Sequence, residues 1–315
     1  MQESLDMTNK IMIFGGFGFL GKNLNETFKN STFTIVNESR RSGCDLHDLD
    51  VLVATIKKIN PDVIINAAAD VGSITYVSTY AADVINNNSQ MYLNLYKAIV
   101  EVNPDISVIN PISNCSYPGI IDLQSESDWW NGPIHDSVES YGYPKKLGFI
   151  TSKCYERQYG IKTTNVIIPN AYGPLDYTDP QKTHAMNGII MRMLTAKKAG
   201  ATKFDVWGSG KPIREWVYML DVAKIFKYIV ENPELALPNP INIGQNFGIS
   251  INDTVSTIKS LLDYDVEIVH DLSKQDGAPI KVLDNTLFKK HFPNFSFTDY
   301  HTGIKNTITY YENLI

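Results

Sequence analysis

The sequence predicts an α/β fold, in which a doubly wound parallel sheet is joined to a smaller mixed α/β unit. Three observations predict this fold. Short apolar runs alternate with longer amphipathic stretches through the first half of the 315-residue chain. A glycine-rich turn follows the first apolar run directly. After Pro169 the sequence changes to a loop rich in Gly, Pro, Asp and Tyr, and then to short mixed segments.

Alternating strands and helices account for the first half of the chain. The predicted strands are Ile11–Phe14, Thr32–Val36, Val63–Asn66, Val108–Ile112 and Thr164–Ile168. The predicted helices are Leu20–Lys29, Leu49–Ile59, Ala82–Val102 and Tyr141–Tyr159. This order predicts parallel strands with helices on both faces and right-handed crossovers. In the second half we predict a loop at Asn170–Pro180 and helices at about Asn187–Ala199, Leu220–Glu231 and Thr254–Leu262.

Composition and charge exclude several classes of protein. The net charge of −6 disfavours a general nucleic-acid-binding protein, which needs a basic face. No run approaches the roughly 20 apolar residues of a membrane helix, and the polar start Met1–Lys10 does not resemble a signal peptide. Three cysteines, Cys44, Cys115 and Cys154, leave at least one unpaired, which favours a reducing compartment. We therefore expect a cytoplasmic protein without nucleic-acid, membrane or metal partners.

The first predicted strand runs directly into a glycine-rich turn and then into a helix. Gly15, Gly18 and Gly21 have the spacing Gly-x-x-Gly-x-x-Gly. The first glycine permits a tight turn, the second lets the backbone approach a pyrophosphate, and the third lets helix and strand pack closely. The helix start at Phe19 and Leu20 would offer unpaired N–H groups to that anion. The pattern predicts a Rossmann-like dinucleotide site, with a plain glycine-rich turn as the weaker alternative.

The residues after the second predicted strand bear on which dinucleotide binds. An NAD enzyme usually has an acid here, which holds the 2′-hydroxyl of the adenosine ribose, and this chain has Asn37. Arg40 and Arg41 follow, and guanidinium groups beside a neutral residue suit a 2′-phosphate. Glu38 could face the ribose if the register slips by one, and the two arginines could form a solvated turn. We expect NADP(H) as the cofactor.

Tyr141 and Lys145 have the spacing Tyr-x-x-x-Lys, which places both side chains on one face of a helix. The ammonium is expected to lower the pKa of the phenol, which could then exchange a proton with a carbonyl oxygen while hydride moves. Pro144 is tolerated in a first helical turn, so the helix should begin near Tyr141. Ser113 lies just past a predicted strand and could hold the same oxygen.

The glycine turn, the strand-end serine and Tyr-x-x-x-Lys together resemble the extended short-chain dehydrogenase/reductase superfamily. Within it, the chain resembles the GDP-L-fucose synthase family over nearly its whole length. The Ser-x-Cys-x-x-Pro element of that family is matched by Ser113–Pro118, and its Trp-Gly-Ser-Gly-x-Pro-x-Arg element by Trp207–Arg214. Further matching segments are Ala67–Gly72, Asn170–Pro174 and Lys274–Gly277.

The resemblance implies a reaction and the residues that perform it. Cys115 and His184 match the cysteine and histidine that invert C3 and C5 of GDP-4-keto-6-deoxy-D-mannose, after which NADPH reduces C4 and GDP-L-fucose forms. Ala68 matches a position that binds the cofactor. The implied substrate-binding residues are Asn170, Arg192, Trp207, Arg214 and Lys281. On their own, a cysteine at a strand end could be packed core and a loop histidine could be solvated.

The resemblance leaves the sugar open. Asn114, Ser116 and Asn187 depart from the family pattern, and relatives with the same cysteine and histidine reduce other keto-sugars, including heptoses. One alternative is therefore a C4 reductase of another GDP-4-keto-sugar, such as a 6-deoxy-heptose, without full epimerisation. A remote alternative is a non-catalytic protein that senses NADP. The GDP moiety itself is implied by the resemblance alone.

Domain limits and assembly are also expectations at this stage. We expect residues 1–168, with about 217–245, to form the NADP-binding domain. Residues of about 169–216 and about 246–315 should form the substrate-binding domain. The family that this chain resembles usually forms homodimers through two helices of each subunit. The candidate helices here are Ala82–Val102 and Tyr141–Tyr159.

Overall fold

The computed structural model describes residues 9–314. Most of Met1–Lys10, the segment that we interpret as not being a signal peptide, lies outside that range. Its strands are β1 (Lys10–Phe14), β2 (Thr34–Glu38), β3 (Val63–Asn66), β4 (Ser107–Ser113), β5 (Thr163–Ile168), β6 (Asn170–Tyr172), β7 (Lys203–Trp207), β8 (Ile213–Tyr218), β9 (Ile241–Asn242), β10 (Gly248–Ser250), β11 (Glu267–Asp271) and β12 (Ile280–Lys281). Its helices are α1 (Phe19–Phe28), α2 (Leu49–Ile59), α3 (Ile74–Thr79), α4 (Ala81–Val102), α5 (Glu139–Tyr159), α6 (Ala185–Lys198), α7 (Met219–Glu231), α8 (Ile251–Leu261), α9 (Thr286–His291) and α10 (Tyr300–Glu312).

A six-stranded sheet has the order β2-β1-β3-β4-β5-β9, with five strands from the first half of the chain and β9 from the second, and every strand pair in it is parallel. Side chains of β1 alternate between two apolar clusters, as the two-residue period of a strand requires. Ile11 and Ile13 pack on the side of α1 and α7. Met12 and Phe14 pack on the side of α2 and α4. Helices therefore cover both faces, which confirms the predicted doubly wound fold.

The second half contains two smaller sheets. Strands β10, β8 and β12 form one of them, in which β6 also pairs with β8, and β11 pairs with β7 in the other. A third apolar cluster, which includes Ile190 of α6, Ile258 of α8 and Ile308 of α10, packs beneath them. Phe288 and Phe292, near the C-terminal end, pack instead against the cluster of the six-stranded sheet.

The predicted strands and helices of the first half are confirmed, and their limits shift by at most two residues. Two details were wrong. The segment predicted as a loop begins with β6, which pairs with the distant β8 and is too short to be recognised locally. Helix α5 begins at Glu139, two residues before the predicted start, so Pro144 lies in its second turn and not in its first. A short 3₁₀ turn, Asp136–Val138, leads directly into α5 and adds the earlier residues to the helix.

Candidate active site

A cavity of about 1300 Å³ opens at the carboxyl ends of β3, β4 and β5 and reaches the second half of the chain. Ligands of doubly wound folds bind at this edge of the sheet. The predicted site residues that line the cavity are Gly18, Phe19, Leu20, Ala68, Ser113, Cys115, Tyr141, Lys145, Asn170, His184, Arg192, Trp207, Arg214 and Lys281. Five predicted residues lie behind or beside its wall: Gly15, Gly21, Asn37, Arg40 and Arg41.

The glycine turn has the shape that a dinucleotide phosphate requires. Gly15 has a φ of +74°, and a Cβ atom there would lie 2.7 Å from the backbone of Ala67. A Cβ atom at Gly21 would lie 2.3 Å from the carbonyl oxygen of Gly15. No side chain caps α1 at Gly18, and its first turn has no acidic residue. The first amides of α1 therefore face the cavity unpaired, which fits a bound pyrophosphate.

The residues predicted to face the adenosine ribose lie beside the cradle. Asn37 packs against Gly16 and donates from Nδ2 to Oδ1 of Asn25 at 2.9 Å, while its own Oδ1 is buried without a partner among the described residues. Glu38 accepts a hydrogen bond from the hydroxyl of Ser42 at 2.6 Å, so its carboxylate is held within the turn. Arg40 and Arg41 are exposed in that turn. The guanidinium groups of Arg40 and Arg41, together with the unpaired Oδ1 of Asn37, therefore fit the phosphorylated ribose of NADP(H).

Tyr141 and Lys145 lie on one face of α5, as their spacing predicts. Nζ of Lys145 lies 5.3 Å from the centre of the Tyr141 ring and donates to the hydroxyl of Tyr92 at 3.0 Å. Desolvation raises the pKa of Tyr141, and Lys145 offsets only part of that rise. Lys145 therefore lowers the pKa of the phenol as its spacing predicts, but burial of the phenol outweighs the charge beside it and the net pKa is raised. Tyr141 is a protonated phenol at neutral pH.

Close packing at the start of α5 brings Tyr141 towards the turn that follows β4. Ser113 is the last residue of β4, and its Oγ accepts the backbone N–H of Cys115 at 3.2 Å. A Cβ atom at Gly142 would lie only 2.6 Å from the carbonyl oxygen of Cys115. Glycine at this position therefore lets the helix approach the turn that carries the serine and the cysteine.

Cys115 has a cationic partner in the cavity wall. Nζ of Lys281 lies 3.2 Å from its Sγ. Burial alone would raise the pKa of the Cys115 thiol, but Lys281, the hydroxyl of Ser113 and Arg214 together hold that pKa below its usual value. A thiol with a lowered pKa is ionised to a larger fraction near neutral pH, and the thiolate is the form that acts as a base or nucleophile.

His184 has an anionic partner that the sequence analysis missed. Its Nδ1 lies 3.0 Å from Oδ1 of Asp176, whose side chain has no exposed surface. Burial raises the pKa of this carboxyl, but His184 and the amide of Asn187 outweigh it, so the net pKa of Asp176 is lowered. Nδ2 of Asn187 donates to Asp176 at 2.8 Å. The only signal in the sequence was an aspartate in the Gly-Pro loop, eight residues before the histidine.

The remaining predicted residues surround the far end of the cavity. The guanidinium of Arg192 lies 4.5 Å from the centre of a Trp207 ring and donates to the carbonyl oxygen of Asp205 at 2.8 Å. Arg214 is buried and donates from Nη2 to the carbonyl oxygen of Asp276 at 3.1 Å. Asn170 donates to the carbonyl oxygen of Glu215 at 3.2 Å. Arg192 beside an aromatic ring, with the second arginine Arg214 in the wall of the same cavity, suits an anionic ligand with a planar base.

Residues 9–314 contain neither a candidate metal centre nor a candidate membrane span. No group of His, Cys, Asp and Glu side chains in this range could hold a metal ion. No helix in the same range is long and apolar enough to cross a membrane.

Comparisons with known proteins give the chain its family. Residues 11–244 match the NAD dependent epimerase/dehydratase family. The GDP-L-fucose synthase of Dictyostelium discoideum is 29% identical over 306 residues, which cover 96% of this chain and 94% of that protein. The GDP-L-fucose synthase of Escherichia coli K12 is 32% identical over 233 residues, which cover 71% of this chain and 72% of that protein.

A solved structure extends the likeness to three dimensions. The crystal structure of a GDP-L-fucose synthetase from Naegleria fowleri bound to NADP superposes with a TM-score of 0.82 at 25% identity. The match covers 97% of this chain and 94% of that chain. This chain therefore belongs to the NAD dependent epimerase/dehydratase family and, within it, to the GDP-L-fucose synthase family.

Proposed function

We propose that this protein is an NADPH-dependent epimerase and reductase that converts GDP-4-keto-6-deoxy-D-mannose into GDP-L-fucose. The observation that carries the proposal is that Cys115 and His184 line the same cavity as Ser113, Tyr141 and Lys145. Groups that can move protons at carbon therefore share one site with groups that can reduce a ketone. The names of the relatives support the choice of sugar and nucleotide.

Epimerisation would use Cys115 and His184. A C4 ketone acidifies the hydrogens on C3 and C5, because either carbanion is stabilised as an enolate. Cys115, whose thiol pKa is lowered, would remove each proton, and His184 would return a proton to the opposite face of the sugar. Before the second inversion, Cys115 would release its proton to solvent and His184 would take one up. Asp176 would hold the imidazole in one orientation and stabilise it when it is protonated, as a buried carboxylate does for other catalytic histidines.

Reduction would use the groups at the end of β4 and the start of α5. When bound, NADPH would supply the hydride that reduces C4. Tyr141 would donate its phenolic proton to O4, and its raised pKa keeps that proton available at neutral pH. Ser113 would donate a hydrogen bond to the same oxygen by turning its hydroxyl proton from the sulfur of Cys115 towards O4, while its Oγ keeps accepting from the backbone. Lys145 would stabilise the phenolate that Tyr141 becomes.

Binding of the cofactor and the nucleotide would divide between the two ends of the cavity. The amides of Phe19 and Leu20 would hold the pyrophosphate of NADPH. Gly15, Gly18 and Gly21 would give the cradle its shape, since the Gly18 amide donates to the carbonyl oxygen of Gly15 at 2.9 Å. The adenosine ribose and its 2′-phosphate would contact Asn37, Arg40 and Arg41, Ala68 would line the groove, and Lys145 would contact the nicotinamide ribose. The substrate would contact Asn170, Arg192, Trp207 and Arg214.

Product analysis tests this function. The purified protein is incubated with GDP-4-keto-6-deoxy-D-mannose and NADPH, and the sugar is identified by NMR. We expect GDP-L-fucose and one NADPH oxidised for each sugar formed. A reduced sugar that keeps its D configuration would show the alternative, a C4 reductase without full epimerisation. NADPH binding with no turnover of any GDP-keto-sugar would show the remaining alternative, a protein that senses the cofactor.

We also propose that the protein is a homodimer that assembles through α4 and α5. Tyr143, Leu147 and Ile150 follow one another at helical spacing on α5 and are between 37% and 43% exposed. Ile85 on the neighbouring α4 is 41% exposed. An apolar stripe of this kind on a helix surface indicates a contact with another chain. Sedimentation velocity should show a dimer that the double substitution Leu147→Glu and Ile150→Glu converts to a monomer.

Two further expectations from the sequence stay proposals. We propose that residues up to 168, with about 217–245, form the NADP-binding domain, and that about 169–216 with about 246–315 form the substrate-binding domain. The distribution of apolar clusters supports this division for most residues, while Ala171, Phe288 and Phe292 pack on the first sheet and Tyr218 packs in the cluster of the second half. We propose a cytoplasmic location, because Cys44, Cys115 and Cys154 are all free thiols.

A further inference from the structure

Lys281 is the residue whose position departs most from its expected role. The family resemblance implies that Lys281 contacts the substrate, which would require its ammonium to face the open part of the cavity. Its ammonium instead contacts Sγ of Cys115 at 3.2 Å, and only 6% of the residue is exposed. Among residues 9–314, Lys281 forms no ion pair with a carboxylate. A buried ammonium is costly unless an anion lies beside it.

We propose that Lys281 is a positioning residue that holds Cys115 as a thiolate, and that the two form a buried ion pair before substrate binds. A neutral thiol is a weak hydrogen-bond acceptor, whereas a thiolate is an anion that accepts strongly from an ammonium. Ionisation of Cys115 therefore gives the buried Lys281 the partner that it otherwise lacks. One part of the proposal rests on the proposed function, namely that this thiolate is the base of the epimerisation.

The fold fixes Lys281 at this place through its neighbours in the sheet. In the parallel pair of β8 and β12, Lys281 lies in register with Arg214. Both residues line the cavity. Glu215, the next residue of β8, accepts the backbone N–H of Leu283 at 2.7 Å and so ties the end of β12 to β8. The cation is therefore carried by a strand and not by a mobile loop.

The charges that face Cys115 from the surrounding elements favour the thiolate. Lys281 on β12 and Arg214 on β8 are cations, and Ser113 at the end of β4 contributes a hydroxyl. Tyr141 on α5 would oppose a thiolate only as a phenolate, and its raised pKa keeps it neutral near pH 7. The carboxylate of Asp276, which influences Arg214, accepts hydrogen bonds from Ser209.

Alkylation of the protein without substrate or cofactor tests the proposal. Iodoacetamide is added across pH 5 to 10, and peptide mass spectrometry reports the rate at each cysteine. Because only the thiolate reacts, the midpoint of the Cys115 profile reports its ionisation. We expect a midpoint below 9.0, the ordinary value for a cysteine. Exposed Cys154 in the same molecule is the internal control. A Cys115 midpoint at or above 9.0 in the unmodified protein would by itself overturn the proposal, before any variant is made.

Three lysine variants identify the source of the effect. Lys281→Met should raise the Cys115 midpoint by about one unit or more and slow alkylation at pH 7 by about tenfold per unit. Lys281→Arg, which keeps the charge, should restore most of the rate. Lys274→Met is the matched control, because Lys274 lines the same cavity beside Trp207. An unchanged profile in a folded Lys281→Met protein would contradict the proposal.

The kinetic consequence separates positioning from substrate binding. If Lys281 acts through Cys115, Lys281→Met should lower kcat for epimerisation and leave KM for the sugar nearly unchanged. If Lys281 binds the substrate, KM should rise and the alkylation profile should stay as it was, which would overturn the proposal. Alkylation needs neither sugar nor NADPH, so a failure of the proposed reaction would leave the thiol result standing.

Discussion

Nδ1 of His184 lies 3.0 Å from the carboxylate of Asp176, a side chain with no exposed surface. The backbone N–H of His184 donates to the other oxygen of the same carboxylate at 2.9 Å. One buried anion therefore fixes both the ring and the backbone of the histidine. This arrangement gives His184 the orientation and the charge stabilisation that a proton donor needs.

Asp176→Asn should lower the rate of epimerisation by roughly a hundredfold or more, because an amide does not stabilise an imidazolium. Steady-state rates of epimerisation measure this effect. Asp179→Asn is the control, because Asp179 is exposed in the same loop and its carboxylate accepts from the Gln181 amide. Equal rates in the Asp176→Asn variant and the unmodified protein would rule out this role.

Asp176 should also make stability depend on pH in the acid range. Burial alone would raise the pKa of this carboxyl. His184 and Asn187 outweigh burial, so the pKa lies below the ordinary value of 3.8. At acid pH the folded state therefore holds fewer protons on Asp176 than the unfolded state does. The contribution of Asp176 to stability is complete above pH 3.8 and is lost as the pH falls through the lowered pKa. Urea unfolding should show that Asp176→Asn lowers the free energy of unfolding most near neutral pH. A difference that grows below pH 4 would be the contrary result.

Tyr141→Phe should slow the reduction by roughly 10²- to 10⁴-fold, because the oxygen at C4 loses its proton donor. Exchange of the sugar hydrogens with solvent should continue, since Cys115 and His184 are untouched. Loss of NADPH absorbance measures the first effect and NMR in deuterated water the second. Tyr143→Phe serves as the matched control, because Tyr143 lies on the same helix and is 42% exposed. Normal reduction by the Tyr141 variant would remove this residue from the mechanism.

The double substitution Arg40→Ala and Arg41→Ala should weaken NADPH binding by roughly 10- to 100-fold, the value of one or two charged hydrogen bonds. Binding of NADH, which lacks the 2′-phosphate, should change little. Fluorescence titration with each cofactor gives both constants. Lys29→Ala removes an exposed cation at the far end of α1 and should affect neither cofactor. If affinity for both cofactors fell together, the arginines would not be reading the phosphate.

Local demands explain why parts of this site could be predicted from sequence. The glycines at 15 and 21 were predicted correctly because each is required by a turn or by a close helix contact within a few residues. Tyr141 and Lys145 share a helix face for the same reason, since their spacing alone places them there. The strand limits of the first half were accurate because buried parallel strands are continuous apolar runs.

Other parts depend on contacts between distant residues and could not be predicted. The contact of Lys281 with Cys115 joins residues that are 166 positions apart, and it exists because β12 pairs with β8. The net rise in the pKa of Tyr141 depends on how deeply the folded chain buries the phenol. Strand β6 is three residues long and forms only because β8 lies beside it.

The most direct test of the central claim is the reaction in deuterated water, followed by NMR of the purified product sugar. If Cys115 and His184 epimerise the sugar before it is reduced, the product should be GDP-L-fucose that carries deuterium at both C3 and C5. Cys115→Ser should yield a slowly formed sugar of retained D configuration, without deuterium at either carbon. A product of the unmodified protein that contains no deuterium at C3 and C5 would contradict the account.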